Sequence, residues 1–380
     1  MKDPDRIKGS LVGGAVGDAL GYAVEFMNEY GIFSQYGKTG ITRYADGFGR
    51  ISDDTQMTLF TAAGLTKGTD HVPQIARAYL DWYGTQTATY PLPDPYTEFA
   101  KNPALFSRRA PGNTCLDALE HYALLGTYGT RKRPLNDSKG CGGVMRVAPV
   151  GLYFAGSGVP IEESDRLGAD AASITHGHEM GYQPAMMLCH MVRRLAEDGS
   201  MTVREAAEEA LVYRLDLFGN TRAAMQFTFL MAKALELAEK PQISDLDAIH
   251  KLGEGWTGDE ALAIAVFCAA RHSDDFEAAI VAAVNHGGDS DSTGAICGNI
   301  LGAKLGYDAI PDYFKGESLE LHDVICGMSE KLYAAGKKLP RGTAFAAPAI
   351  GIAVPDEVTG KLDENGVIHY YYPDGREWRP

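Results

Sequence analysis

Apolar positions recur at helical spacing over most of the chain. Residues 203–214 (VREAAEEALVYR), 222–239 (RAAMQFTFLMAKALELAE) and 259–271 (DEALAIAVFCAAR) are dense in Ala, Leu, Glu and Met, side chains that lose little freedom in a helix. The third is apolar almost all round, which predicts a buried, central helix. Alternation of period two is scarce until VIHYYYPDGREW (367–378), where β-forming residues flank an Asp-Gly turn signal. No alternation of strands with helices suggests a parallel sheet, so the fold is predicted to be predominantly α. Stretches rich in Pro and Gly read as loops at 84–113, 126–143 and 336–360. No internal repeat or low-complexity linker divides the chain. The expectation is one helical domain over 1–338, then a C-terminal extension, 339–380, of partly β character.

Composition narrows the function classes more than the fold. The chain has 380 residues with 50 acidic against 35 basic side chains, a net charge of −15, which argues against a protein that grips nucleic acid through its phosphates. No apolar run is long enough to span a bilayer, and MKDPDRIKGS lacks the apolar core of a secretory signal. The six cysteines are scattered, without metal-site or disulfide spacing; reduced thiols in the cytoplasm are the expected state.

Candidate chemistry lies in two acidic clusters. SDDT (52–55) and DSDST (289–293) each place two aspartates and flanking hydroxyls directly before a helix of small or apolar residues. One reading is a helix N-cap. The other is a ligand set, because a cap needs one such residue and each cluster has a surplus. If the clusters meet, carboxylates about 4 Å apart repel by roughly 4 kcal/mol per pair at an effective dielectric near 20, so cations or protons must neutralise them. An all-oxygen donor set selects a hard cation, and four acids suit two ions better than one. Gly287 and Gly288 would let backbone approach a ligand closely. In GSLVGGAVGDALGYAVEF (9–26), glycines at every third or fourth place predict a closely packed helix. Asp18 and Glu25 lie two turns apart on one face if that helix persists, with Glu25 the candidate active-site acid and Asp18 a structural hydrogen-bonder. The loop SKGCGG (138–143) is either a plain turn or a cradle for phosphate, and His176 either a satisfied core histidine or a ligand.

GDALGYAVEF, SDDTQMTL, GCGGVMR, the ITH before a helix, LGEGWTGDEALAIAV and HGGDSDSTGAICGNILGA stand in this order between about Gly9 and Gly306. In this the chain resembles the ADP-ribosylglycohydrolase family, most of all its dinitrogenase reductase-activating and ADP-ribosylarginine-hydrolysing members. The resemblance implies an all-α, single large orthogonal helical domain around a dinuclear magnesium or manganese centre. The implied metal ligands are Ser52, Asp53, Asp54, Asp289, Asp291 and Ser292; relatives often carry threonine at the two serine positions, with the same donor oxygen. Glu25 matches an active-site glutamate, His176 a substrate-side histidine, and Ser138, Lys139, Gly140, Cys141, Gly142 and Gly143 a diphosphate loop, although Cys141 replaces a frequent asparagine. Asp54 or Asp291 would serve as base towards water. Glu25 would orient the ribose or protonate the departing group. The implied substrate is an ADP-ribosylated protein, most readily one modified on arginine, and the product is ADP-ribose. Serine-linked, nucleic-acid-linked and small ADP-ribose derivatives, a phosphohydrolase acting on a small nucleotide, and a non-catalytic binding module of the same fold are the alternatives.

Overall fold

The computed structural model describes residues 4–339 together with 359–362 and 368–371. Among the described residues the chain forms fifteen α-helices. In order these are α1 (Pro4–Tyr22), α2 (Glu29–Tyr36), α3 (Asp53–Leu65), α4 (His71–Thr87), α5 (Asn113–Leu125), α6 (Ala148–Phe154), α7 (Ile161–Ser173) and α8 (Glu179–Glu197), then α9 (Val203–Phe218), α10 (Arg222–Ala238), α11 (Asp245–Ile249), α12 (Gly258–Arg271), α13 (Phe276–Val284), α14 (Ser290–Leu305) and α15 (His322–Gly336). The all-α prediction holds, and the three helices expected from composition appear within a few residues of their expected bounds. Every residue from Ala261 to Ala269 is inaccessible to solvent, so α12 is the central helix that its unbroken apolar surface requires. The long connection between α4 and α5 contains only two 3-10 turns, Phe99–Lys101 and Pro103–Leu105, matching its Pro-rich sequence. The division expected at 338 and 339 falls just after α15.

One expectation needs correction. The glycine-rich N-terminal helix stops at Tyr22, so Glu25 is not related to Asp18 by two helical turns. The chain instead tightens into successive turns, Val24 N–H bonding to Gly21 O at 2.8 Å and Met27 N–H to Val24 O at 2.8 Å. The β character expected of the C-terminal extension is present in two short strands. There β1 (Thr359–Leu362) pairs antiparallel with β2 (Ile368–Tyr371), Thr359 opposite Tyr371 and Leu362 opposite Ile368. Within the β-forming run, Ile368–Tyr371 is a strand and its partner precedes it; the rest of that run, with the expected turn at Asp374 and Gly375, lies outside the described residues.

The pairing that positions the site is α1 on α14. A Cβ added to Gly13 would lie 2.5 Å from Gly298 O, one added to Gly17 would lie 2.0 Å from Gly294 O, and one added to Gly302 would lie 2.0 Å from Gly9 O. The two backbones thus run antiparallel in direct contact, which only glycine permits at these places. That contact delivers the C-terminal end of α1 to the N-terminal end of α14, where the second acidic cluster stands.

Candidate active site

Three helix ends converge, and α1 holds the other two in register. Asp18, fully buried on α1, accepts the Ser52 N–H at 3.0 Å and 3.1 Å and the Thr55 N–H at 3.0 Å, and the Thr55 hydroxyl donates to it as well. It therefore caps α3 from a different helix, the structural role that its isolated position suggested. Ser52 is the N-cap of α3 and accepts the Asp54 N–H at 3.2 Å. Asp289 is the N-cap of α14 and accepts the Ser292 N–H at 3.3 Å; Asp291 Oδ1 takes the same N–H at 2.9 Å. The clusters then meet: the Ser292 hydroxyl donates to Asp54 Oδ1 at 2.9 Å and Oδ2 at 3.2 Å. Capping and convergence are carried by the same residues, because carboxylates gathered at two helix N-termini also gain from both dipoles.

Glu25, beyond the end of α1, completes the group. Glu25, Asp289 and Asp291 each offer an oxygen, and the three atoms lie within 4.8 Å of one another. Sequence reasoning kept Glu25 apart from the ligand set; the structure brings it into the same acidic knot. Burial raises every carboxyl here, and repulsion from neighbouring acids adds to it at Asp18, Glu25, Asp53, Asp54 and Asp289. Asp18 is pushed up to about 7 by burial and then by Asp291, and Glu25 up to about 10 by burial and then by Asp291, Asp289 and Asp53. Asp53, Asp54 and Asp289 rise well above the ordinary carboxylate range for the same two reasons, and burial lifts Asp291 also. Glu25 Oε2 is buried without a hydrogen-bond partner. A buried, unpartnered carboxyl oxygen marks a place for a ligand, and the four aspartates beside it are an all-oxygen donor set that suits a hard divalent cation.

The acids floor a cavity of about 560 Å³, within the size range of small-molecule sites. Asp53, Asp54, Asp289, Asp291 and Ser292 line it with Glu25; Gly140, Cys141, Gly142 and His176 form a wall, and Phe26, Arg108 and Trp256 stand towards the mouth. The glycine loop is pinned to the start of α12, Cys141 N–H to Trp256 O at 3.2 Å and Gly258 N–H to Lys139 O at 2.8 Å. The Cys141 thiol donates to Asp289 Oδ2 at 2.7 Å, tying the loop to the acids.

Several expected residues sit behind the cavity rather than on it. Ser52 does not line it and acts as the α3 cap. Ser138 accepts the Gly140 N–H at 3.3 Å, Lys139 supplies its carbonyl to α12, and Gly143 packs so closely on α8 that a Cβ would lie 2.3 Å from Gly181 O. Gly287 and Gly288 face protein: a Cβ on Gly288 would lie 1.8 Å from Glu254 O, and the nearest neighbour of one on Gly287 is Glu29. Gly288 serves tight packing of the turn, whereas a Cβ at Gly287 would meet only ordinary contacts, at 3.6 Å or more; no spacing rule distinguishes tight packing from approach to a ligand.

Other contributors escaped the sequence reading. Phe26 is three-quarters exposed (74%) and stacks near-parallel to Trp256, centroids 6.5 Å apart and planes at 20°. His286 Nδ1 accepts the Gly288 N–H at 3.1 Å while Nε2 meets Thr293 Oγ1 at 3.0 Å, bracing the turn before α14; burial lowers this imidazole to about 4. Arg109 forms a two-pronged pair with Glu320, at 3.0 and 3.1 Å, donates to Ile51 O at 3.0 Å and accepts the Asp53 N–H at 3.1 Å through its own carbonyl. Phe26 and His286 adjoin recognisable motifs, but nothing in sequence links Arg109 to Glu320.

The ADP-ribosylglycohydrolase family profile matches residues 1–341. The chain is 27% identical over 317 residues to ADP-ribosyl-[dinitrogen reductase] glycohydrolase of Rhodospirillum rubrum, covering 81% of this chain and 88% of that protein. It is 27% identical over 337 residues to ADP-ribosylarginine hydrolase Tri1 of Serratia proteamaculans, covering 87% and 79%. A solved structure described as an ADP-ribosylglycohydrolase-related protein complex superposes with a TM-score of 0.61 at 23% identity, over 88% of this chain and 98% of the other; this likeness is one of fold. With the family profile covering nearly all of the helical body, the chain belongs to the ADP-ribosylglycohydrolase family.

Proposed function

We propose that the protein hydrolyses the N-glycosidic bond between ADP-ribose and a modified protein side chain, arginine first among the candidates, and so reverses ADP-ribosylation. The observation that carries this reading is the buried group of Glu25, Asp289 and Asp291 oxygens, within 4.8 Å of one another, on the floor of a cavity sized for a small molecule. Arginine is favoured because a relative that matches over 87% of this chain is named an ADP-ribosylarginine hydrolase.

Asp53, Asp54, Asp289 and Asp291, with the hydroxyl of Ser292, would hold two magnesium or manganese ions. Such ions supply Lewis-acid polarisation and a bound water of lowered pKa. The chain's own groups do the rest. The cavity wall at Gly140–Gly142 and His176 holds the phosphates, and the acid floor orients the ribose hydroxyls, fixing the anomeric carbon. Asp54 or Asp291 takes a proton from water as its oxygen bonds to that carbon, and the C–N bond breaks through an oxocarbenium-like state. Glu25, outside that ligand set, gives a proton to the departing nitrogen. Water and the modified side chain thus become ADP-ribose and a free guanidine.

Incubation with proteins or peptides carrying ADP-ribosyl-arginine or ADP-ribosyl-serine, and with ADP-ribosylated DNA, tests the reading. ADP-ribose should be released fastest from arginine, and a chelator should stop the release. Faster release from serine or DNA would reassign the linkage, and release indifferent to chelation would remove the metal.

A further inference from the structure

Behind the cavity wall lies a fully buried guanidinium that the reaction as described does not use. Arg146, with no exposed surface, donates through Nη2 to the Thr175 hydroxyl oxygen at 2.7 Å and to Ala171 O at 3.4 Å, and through Nη1 to Cys115 Sγ at 3.2 Å. It lies over the Tyr79 ring, 4.5 Å from the centroid. Thr175 Oγ1 in turn stands 2.8 Å from His176 Nδ1.

The direction of this chain is set by what each group can do. A guanidinium has donors only, so Thr175 Oγ1 must accept from Arg146. The single hydroxyl proton then has two possible acceptors, the imidazole nitrogen at 2.8 Å and the Cys115 sulfur. Burial raises the Cys115 thiol, so it stays protonated, and a thiol sulfur is a weak acceptor. The proton goes to Nδ1, which leaves the ring hydrogen on Nε2. That edge faces the glycine turn: a Cβ on Gly140 would lie 3.1 Å from Nε2, and one on Gly142 3.2 Å. His176 also lines the cavity. Burial and then the Arg146 charge lower its pKa to about 3, so the ring stays neutral, with one hydrogen in a fixed place.

We propose that Arg146 and Thr175 are positioning residues that lock His176 as the Nε2–H tautomer, so that it donates a hydrogen bond to an anionic oxygen of the ligand over the Gly140–Gly142 turn. The ligand half of this inference rests on the ADP-ribose reading of the cavity; the tautomer half does not. His176 is on this account a fixed donor, neither a general base nor a metal ligand.

Nitrogen-15 NMR of the full-length protein labelled at histidine, without ligand, reads the tautomer directly, with His176→Gln assigning the resonances. Nε2 should have the shift of a protonated nitrogen and Nδ1 that of an unprotonated one, unchanged between about pH 5 and about pH 8. Thr175→Val, which keeps the shape and removes the relay, should mix the tautomers and weaken ADP-ribose binding by about tenfold, the scale of one hydrogen bond to a charged group. In turnover assays it should raise KM more than it lowers kcat, and Thr175→Ser should restore both readings. An Nδ1–H tautomer in the wild type overturns the lock whether or not the valine variant folds. A locked tautomer with wild-type affinity in a folded Thr175→Val overturns the ligand role. A wild-type protein that is locked but binds no ADP-ribose overturns the proposed function and leaves the lock standing.

Discussion

Glu25 differs from the other acids in having no helix to anchor it and one oxygen without a partner. Its carboxyl, pushed up to about 10, holds a proton when the surrounding water does not, the state required of an acid catalyst. Glu25→Gln keeps the shape and removes the transferable proton. It should lower kcat by about 10²–10³, within the range for a lost general acid, without lowering the unfolding temperature; single-turnover release of ADP-ribose and thermal melting check both. A loss under about threefold would contradict the assignment. At this scale the sequence was informative wherever chemistry was concentrated. The paired aspartates and His176 stand in motifs that few other folds need. Phe26 was passed over because an aromatic residue after a helix looks like any core residue until its exposure is seen. Gly288 misled because a missing Cβ serves a neighbouring carbonyl and a ligand equally well.

The α1–α14 contact turns glycine spacing into the separation of the acids. A Cβ at residue 17 would lie 2.0 Å from the Gly294 carbonyl, and a main-chain oxygen cannot move aside as a side chain can. Gly17→Ala should therefore destabilise the fold by about 1–3 kcal/mol, the usual range for overpacking. It should also weaken divalent-ion binding, because α14 carries Asp289 as its N-cap and Asp291 on its first turn. Urea unfolding and metal titration read the two effects separately; unchanged values of both would show that the helices are not so coupled. Helix positions were legible because helix formers and apolar periodicity agree along 203–218, 222–238 and 258–271. The end of α1 was not, since AVEF continues its apolar pattern beyond Tyr22, where the helix stops. The strand at 359–362 was hidden in the same way: TGKL has weak β character alone and acquires it by pairing with Ile368–Tyr371.

Across the whole molecule, five raised carboxyls and a buried Asp18 make stability depend on pH in a specific direction. An acid with a raised pKa keeps its proton in the folded protein after the unfolded chain has lost it. Its contribution is complete below about pH 4, the unfolded value, and disappears as pH rises through about 7 for Asp18 and about 10 for Glu25. The metal-free protein should therefore lose stability from about pH 5 to about pH 9, as far as these groups decide it. Binding a divalent cation must expel the protons of the aspartates that hold it, so added manganese should raise Tm more at about pH 8 than at about pH 6. Scanning calorimetry with and without manganese measures this; a larger stabilisation at the lower pH would reverse the argument. The net charge of −15 pointed away from nucleic-acid binding, and part of that excess proves to be interior, gathered in one cavity. Among the described residues no helix is long and apolar enough to cross a membrane.

The central claim is that α3 and α14 join their acids into one cation-holding centre, and divalent-ion stoichiometry tests it most directly. Calorimetric titration of the chelator-treated protein with manganese should give two ions per wild-type chain and fewer in a folded Asp289→Asn variant, which should also release no ADP-ribose. No bound ion in the wild type, or the same stoichiometry and turnover in the variant, would contradict it.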